Sequence, residues 1–480
     1  MMRPTGGTAL QKGNAALREG SPQDAIQHYL QAMSRHEGDI SPFVSMLEGN
    51  LELARQHYRQ RRREARHRGS PQRVAVCGWE LAHNPAGRVL TLVDIYRRAG
   101  AKVEIIGSIF PRWGREPWPP MRGMATPCHT LLVEDEANFI SHALQLVAKH
   151  PYDLVHLSKP RFPNLVFGLL YELVWGAKVV WDIDDEELGF VQATDSLSLQ
   201  QALDGRGRLP PLEKLHNTFW TRLAVGQTSR FAAVTVSNPA LQARYGGEII
   251  PHVRDETRFV PSKARRAIAR RRWGVPEHDK VVLFFGTPRK HKGLLATARA
   301  IASLGRDDLW FVIVGDFPDA SLKEELLSID GVQYRFIGGQ PYQSIPDIVA
   351  LGDYTVLLQE SSSLVAQYQL PAKLVDALAM GLVVFAQVTP STQWLADRGA
   401  IVPVTADTLG SILASNIEGS GCNAGQDVEN RGFFEKELSL NKGVDVIVPV
   451  ARFAESGASN TSWKGQLTNL YSGDIAGFLT

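Results

Sequence analysis

The sequence predicts an α/β protein of two Rossmann-like, doubly wound lobes facing a cleft, preceded by a small all-α module. Three observations carry this. Short apolar runs alternate with amphipathic stretches from residue 73 to about residue 404, the pattern of parallel strands covered on both faces by helices. The alternation is interrupted once by a charged bridge and then starts again, which describes two units of similar size. With 480 residues, 44% of them hydrophobic and 21% charged, the chain can supply about three domains with ample core.

In the front module, residues 9–35 read as a helical hairpin. Gly13, Ala16 and Ala25 let two helices approach, Leu17, Ile26, Tyr29 and Leu30 fill between them, and Pro22 suits the first turn of the second helix. The small-and-large alternation resembles one tetratricopeptide repeat. Residues 42–58 supply a third helix. The basic run Arg59-Gln60-Arg61-Arg62-Arg63-Glu64-Ala65-Arg66-His67-Arg68 follows. It has two readings, a contact for anionic lipid or a phosphorylated acceptor, or a solvated helix end leading into a linker.

Strands are expected at 73–79, 102–108, 153–158, 178–184, 231–237 and 248–253, with helices between them at 87–99, 136–149 and 212–228. A charged bridge spans 263–273. The second set of strands falls at 281–285, 310–314, 332–337, 354–358, 382–386 and 400–404, with helices at 292–304, 322–329, 371–380 and 408–417. These give a module at 1–69, lobes at 70–258 and 259–442, and a tail at 443–480. Within the tail, 444–450 reads as one clean strand.

The totals exclude several classes. A net charge of +2 does not argue for nucleic-acid binding. Three cysteines, Cys77, Cys128 and Cys422, are too few and scattered for a disulfide framework or a zinc site, which favours a reducing compartment. The N-terminus lacks the apolar stretch of a signal peptide, and no uncharged run reaches the roughly 18–20 residues that cross a bilayer. A cytoplasmic protein is expected, with any membrane-bound acceptor met from the inner surface.

Two segments carry chemistry. In Phe284-Phe285-Gly286-Thr287-Pro288-Arg289-Lys290-His291-Lys292-Gly293-Leu294 a strand delivers a turn, and a helix opens with Lys292-Gly293. Free N–H groups at a helix start, beside Arg289 and Lys292, suit a diphosphate. The spacing fits neither a Walker A loop nor a Gly-x-Gly-x-x-Gly fingerprint. A plain strand–helix turn with solvated cations is the alternative. In the second segment, 368–381, Pro371 starts a helix and Gly381 stops it. Lys373 and Asp376 share a face there, to hold a phosphate and a ribose diol or simply to pair with each other.

On these residues, 280–404 resembles the donor-binding half of family-4 retaining glycosyltransferases, which have the two-lobed GT-B fold. The resemblance implies that Gly286, Thr287, Arg289, Lys292 and Gly293, with Lys373, bind the diphosphate of a nucleotide sugar. Asp376, in place of the usual Glu of a Glu-Ala-Met-Ala-x-Gly helix, would bind the ribose. Val312-Ile313-Val314-Gly315-Asp316 matches a further strand end. A looser resemblance runs from 73 to 259, where Gly87 opens a helix after the first strand, either closing over donor phosphates or acceptor or serving as an ordinary turn.

Two departures stand out. Tyr368 occupies the first position of the family's Glu-x7-Glu pair, with Glu360 earlier in the same loop as the substitute. An acidic cluster, Asp182, Asp184, Asp185, Glu186 and Glu187, stands where many members carry a His. It could orient an acceptor hydroxyl or the sugar through Asp184 and Asp185, hold a divalent metal, or cap a helix.

The resemblance implies sugar transfer from a nucleotide diphosphate sugar to a glycan, lipid-linked or protein acceptor with retention, needing neither metal nor cofactor. A protein partner would be met through residues 1–69. The alternatives are a non-catalytic nucleotide-sugar-binding or partner-binding scaffold and a sugar-nucleotide epimerase of the same fold. The 444–450 segment resembles the opening strand of a family-2 glycosyltransferase, too short to carry a second activity.

Overall fold

The computed structural model describes residues 6–34, 41–203, 208–358, 363–419, 423–456 and 465–480. By its own contacts the chain falls into two compact units. One comprises Met1–Ile183, Glu187–Thr235 and Ile447–Thr480, and the other Asp184–Glu186 and Val236–Val446.

The first sheet holds β1 (Arg73–Gly78), β2 (Lys102–Ile109), β3 (Cys128–Leu132), β4 (Leu154–Ser158), β5 (Lys178–Ile183), β6 (Ala233–Val236) and β7 (Glu248–Ile249), in the order β3-β2-β1-β4-β5-β6-β7. Pairings from β3 across to β5 are parallel. Continuous apolar runs such as Val179-Val180-Trp181 are buried because helices cover both faces.

The second sheet holds β8 (Lys280–Phe285), β9 (Leu309–Val314), β10 (Gln333–Ile337), β11 (Tyr354–Leu357), β12 (Val383–Ala386) and β13 (Val402–Pro403). Its order is β10-β9-β8-β11-β12-β13, parallel throughout. Alternate residues of β8 feed two cores: Val281, Leu283 and Phe285 pack with Leu374 and Leu378, while Val282 and Phe284 pack with Leu294 and Ile313. These are the two Rossmann-like lobes the sequence predicts. β3 and the helix Phe162–Trp175, buried except at Glu172, were not expected.

The front hairpin forms as α1 (Gly6–Arg18) and α2 (Pro22–Met33). A Cβ on Gly13 would lie 2.5 Å from the Tyr29 ring, so the close approach requires glycine there. The third helix, α3 (Ser41–His67), does not stop at residue 58 but runs on through the basic segment. It docks on the lobe. Arg55 donates to the Glu172 and Leu173 carbonyls at 3.0 and 3.1 Å, satisfying the end of the Phe162–Trp175 helix. Arg62 grips Asp153 with two bonds of 2.9 and 2.7 Å, and the Tyr58 ring lies 5.0 Å from that of Trp175. Residues 1–69 therefore belong to the first unit, and the run 59–67 is the end of that helix, half-buried or exposed along its length and anchored through Arg62.

The C-terminal expectation is corrected as well. Residues 444–450 lie inside a helix, Leu440–Ser456, with Pro449 within it. Ile447, Val450, Ala451 and Ala454 are buried at helical spacing, and burial of that face outweighs the β-branched composition. The strand that suggested a family-2 start is absent. The tail continues as helices Gln466–Ser472 and Ile475–Leu479, and Glu48 accepts the Gly465 and Thr468 N–H groups at 3.2 and 3.3 Å.

The unit boundary falls at 235/236 rather than 258/259. The charged bridge is a helix, Lys263–Trp273, capped by Ser262, whose Arg266 and Arg270 hold Asp353 beside the start of β11. Among the described residues, no helix is long and apolar enough to cross a membrane.

Candidate functional site

In the second sheet the strand order reverses at β8, which lies between β9 and β11. Loops leaving β8 and β11 diverge at such a point, which is where open α/β sheets hold ligands. The loop after β8 is the turn singled out in the sequence. Gly286 (φ 112°) leaves the strand, Arg289 is extended, Lys290–Lys292 makes one 3-10 turn, and Gly293 (φ 73°) leads into the helix Leu294–Ala302. The helix thus opens at Leu294 rather than at Lys292. No side chain caps it, which leaves its first N–H groups available to an anion. A Cβ on Gly293 would sit 2.5 Å from that of Leu358, whereas the space around Gly286 is open.

Arg289, Lys292 and Lys373 gather at this turn with no ion-pair partner among the described residues. The Lys292 ammonium donates to the Thr287 carbonyl at 2.8 Å, and burial followed by the charge of Arg289 lowers its pKa. Lys373, in the first turn of the helix Ala372–Ala379, holds its ammonium 4.4 Å from the centroid of Phe284. Burial, then the charge of Lys292, lowers the Lys373 pKa to about 7. Arg289 is exposed and makes no ion pair among the described residues. Lys290 is ion-paired with Glu325 instead.

Asp376, expected beside a ribose, is buried with its carboxylate bonded to Arg254. Burial raises its pKa, against the opposing pull of that guanidinium. It does not pair with Lys373, so the surface-pair alternative is also set aside. Tyr368 is held by its own backbone, since Asn238 donates to its carbonyl at 2.8 Å while Arg244 lies 5.5 Å from its ring. Glu360 lies outside the described residues.

The acidic cluster resolves into separately partnered groups. Asp182 is fully buried, bonded to Arg88 at 2.7 and 2.9 Å and to Thr235 at 2.8 Å. His156 and Tyr96 extend that network, and burial lowers the His156 pKa to about 4. Asp184 is buried and its carbonyl accepts the Ser237 hydroxyl at 2.8 Å. The Asp185 carboxylate accepts Gln369 at 2.9 Å, which ties it to the loop before the Lys373 helix. Glu186 meets Arg244 and Tyr245, and Glu187 meets Lys159 and Arg161.

A second concentration of side chains went unseen in the sequence because its members are far apart in the chain. Strand ends of the first sheet gather them: Trp79 follows β1, Arg112 and Trp113 follow β2, Lys159 and Arg161 follow β4, and His83 and His216 complete the group. Trp113 lies edge-on to Trp79 at 5.3 Å, stacks on His83 at 5.1 Å and meets His216 at 5.3 Å. Arg112 and Arg161 cover Trp113 and Trp79 at 4.4 and 4.9 Å.

Trp79 Nε1, His83 Nδ1 and His216 Nδ1 are buried without a hydrogen-bond partner. Burial, then the charge of Arg112, lowers both histidines to about 4, so both are neutral at pH 7. Burial raises Glu80 to about 7, opposed by the Ala82 and Phe110 N–H groups it accepts. Lys159 adopts φ 75°, a strained conformation for a non-glycine residue at a candidate site. Gly87 is the second residue of the helix Ala86–Arg98 that follows this β1 loop.

Residues 265–398 match the family model for Glycosyl transferases group 1. The Escherichia coli protein described as the putative colanic acid biosynthesis glycosyl transferase WcaI is 25% identical over 213 residues, 43% of this chain and 50% of that protein. The match therefore spans about half the length of that curated relative. Among solved structures, Anabaena HepE in complex with UDP has TM-score 0.59 at 16% identity, covering 78% of this chain and 98% of that one. A glycosyltransferase from Rickettsia africae gives 0.58 at 12%, covering 81% and 100%. The sucrose-phosphate synthase of Thermosynechococcus elongatus gives 0.56 at 16%, with the same coverages. At these identities the likeness is one of fold, the pair of Rossmann-like lobes called GT-B.

Proposed function

We propose that this protein is a glycosyltransferase that takes a sugar from a nucleoside diphosphate sugar and transfers it with retention of anomeric configuration. The observation that carries this reading is the cationic turn at the reversal point of the second sheet. Lys292 depresses the protonation of Lys373, Arg289 depresses that of Lys292, and none of the three is ion-paired among the described residues. Two ammoniums held together in this way are stabilised by a diphosphate. As the sugar–phosphate bond breaks, negative charge grows on the leaving diphosphate. Arg289, Lys292 and Lys373, with the N–H groups after Gly293, are fixed to receive it. Gly286 and Thr287 give the phosphates room.

The match of residues 265–398 to group 1 glycosyl transferases supports the reading, since it contains this turn. UDP in the similarly folded HepE makes a uridine nucleotide the first donor to try.

We assign Asp376 a positioning role through Arg254, and give Asp185 a similar one through Gln369. The acceptor, glycan, lipid-linked or protein-borne, is taken at the mouth of the first sheet. There Trp79 and Trp113 offer faces for a sugar ring, and the neutral His83 and His216 offer nitrogens to its hydroxyls.

The cations of the turn take over the charge neutralisation a divalent ion would give, so transfer is expected to persist in EDTA. The deciding experiment is a thermal-shift screen of nucleotide sugars followed by an acceptor assay with anomer assignment. Donor binding without transfer or hydrolysis would make the protein a nucleotide-sugar-binding scaffold, and product of inverted configuration would overturn retention.

A further inference from the structure

The opposite end of the first sheet's strands holds a second cationic site. A cavity of about 670 Å³ lies between the C-terminal half of α3 and the chain entering β1, β4 and β5, with Gln72, Asp153 and Lys178 in its wall. These residues lie at the starts of the strands, whereas the Trp79–Trp113 mouth lies at their ends. The two sites are therefore at opposite ends of the same sheet's strands.

Charge in the cavity is unbalanced. Arg59, Arg62 and Arg63 line it, against the carboxylate of Asp153. That carboxylate is already engaged, taking both bonds from Arg62 and the Arg73 N–H at 2.8 Å. Arg59 and Arg63, one helical turn apart, make no hydrogen bond or ion pair through their side chains among the described residues. Burial, and then the charge of Arg63, lowers the Arg59 pKa, as expected of neighbouring guanidiniums short of an anion. In the wall, Tyr58 is only 6% exposed and its hydroxyl has no hydrogen-bond partner.

From this geometry we propose that the cavity is a binding site for a compact ligand carrying two or more phosphate charges, of the diphosphate class, held by Arg59 and Arg63. Guanidiniums bind phosphate oxygens in pairs, and a concave site of this size admits a free oligophosphate more readily than a flat bilayer. Because α3 forms one wall and the strand starts the other, the ligand bridges them and fastens the front helices to the lobe. The proposal does not depend on the function assigned to the second unit.

The test uses the full chain carrying Arg289→Ala and Lys292→Ala, which disables the other diphosphate turn, titrated calorimetrically with inorganic diphosphate. One saturable site is expected. Adding Arg59→Gln and Arg63→Gln should weaken it at least tenfold, while Arg59→Lys and Arg63→Lys should retain most of the affinity. Diphosphate should also raise the melting temperature of the parent but not of the Gln variant.

If the double Gln variant does not fold, exposed Arg63→Glu alone gives the same reading. Absence of a saturable site, or affinity unchanged by the Gln substitutions, would overturn the proposal. Vesicles of phosphatidylglycerol provide the second arm. Sedimentation with vesicles and no binding of free diphosphate would replace the small-molecule ligand with a lipid surface.

Discussion

The two sheets share a frame and differ in what they place on it. In both, the first strand of the unit sits centrally, with the second on one side and the fourth on the other. Both bring the first two strands so close at their ends that only glycine fits. A Cβ on Gly107 would lie 2.0 Å from the Gly78 carbonyl, and one on Gly315 would lie 2.3 Å from that of Gly286. Beyond this shared crossing the units part. The first continues into Trp79 and an aromatic, histidine-bearing mouth, the second into an open glycine turn under lysines. Topology chooses where a ligand can sit, and the few residues after each strand choose its charge.

That comparison can be broken first at its common feature. Gly107→Ala and Gly315→Ala should each cost roughly 3 kcal/mol or more, because backbone rather than a flexible side chain blocks the new methyl. Paired denaturant titrations measure this, and tolerance at either position would show that the crossing is not shared. At the divergent feature, Lys292→Ala should lower kcat/KM for transfer about 100-fold, with the circular dichroism spectrum and melting temperature little changed. An unaltered kcat/KM would remove this ammonium from the mechanism.

Trp113→Ala should act on the other side of the comparison. It should raise the acceptor KM roughly tenfold while leaving nucleotide affinity alone, since the ring belongs to the first unit. Reduced nucleotide affinity would contradict that division.

The smallest effect concerns protons. Lys373, depressed to about 7, is mostly neutral at pH 8 in the free protein and becomes charged when a diphosphate arrives. Binding should therefore take up protons above pH 7. Affinity should fall roughly fivefold from pH 7 to pH 8, change little below pH 6, and lose this dependence in Lys373→Gln. Calorimetry in two buffers of different ionisation enthalpy reads the uptake directly.

Much of this could be seen in the sequence, and what could not has physical causes. Alternating apolar runs gave away β5, β8, β9 and β12 because strands buried on both faces read as unbroken Val, Ile, Phe and Trp. β3 is an edge strand whose Cys128-His129-Thr130 start lacks such a run. The Phe162–Trp175 helix is buried except at Glu172 and has no polar face to set a period.

The Gly286–Gly293 turn was readable because its residues are contiguous. The Trp79, His83, Trp113 and His216 group was not, since only the parallel sheet brings three separate loops together at the ends of its strands. Asp376 was read for charge at helical spacing, but the position of Arg254, 122 residues away, decides its partner.

The way the C-terminal helices return to the first unit has a consequence for biosynthesis. Glu48 waits for Gly465, 417 residues later, and Arg230 for the carbonyls of Leu479 and Thr480, which it meets at 2.7 and 2.8 Å. The second unit, by contrast, has nearly all of its chain in one stretch, Val236–Val446. On the ribosome, α3 therefore emerges long before the segment that covers it, and the unit made first is the last to be finished. During that interval its uncovered face is exposed to chaperones and proteases, so lesions near residue 470 should be felt as loss of the whole polypeptide rather than as a slower enzyme.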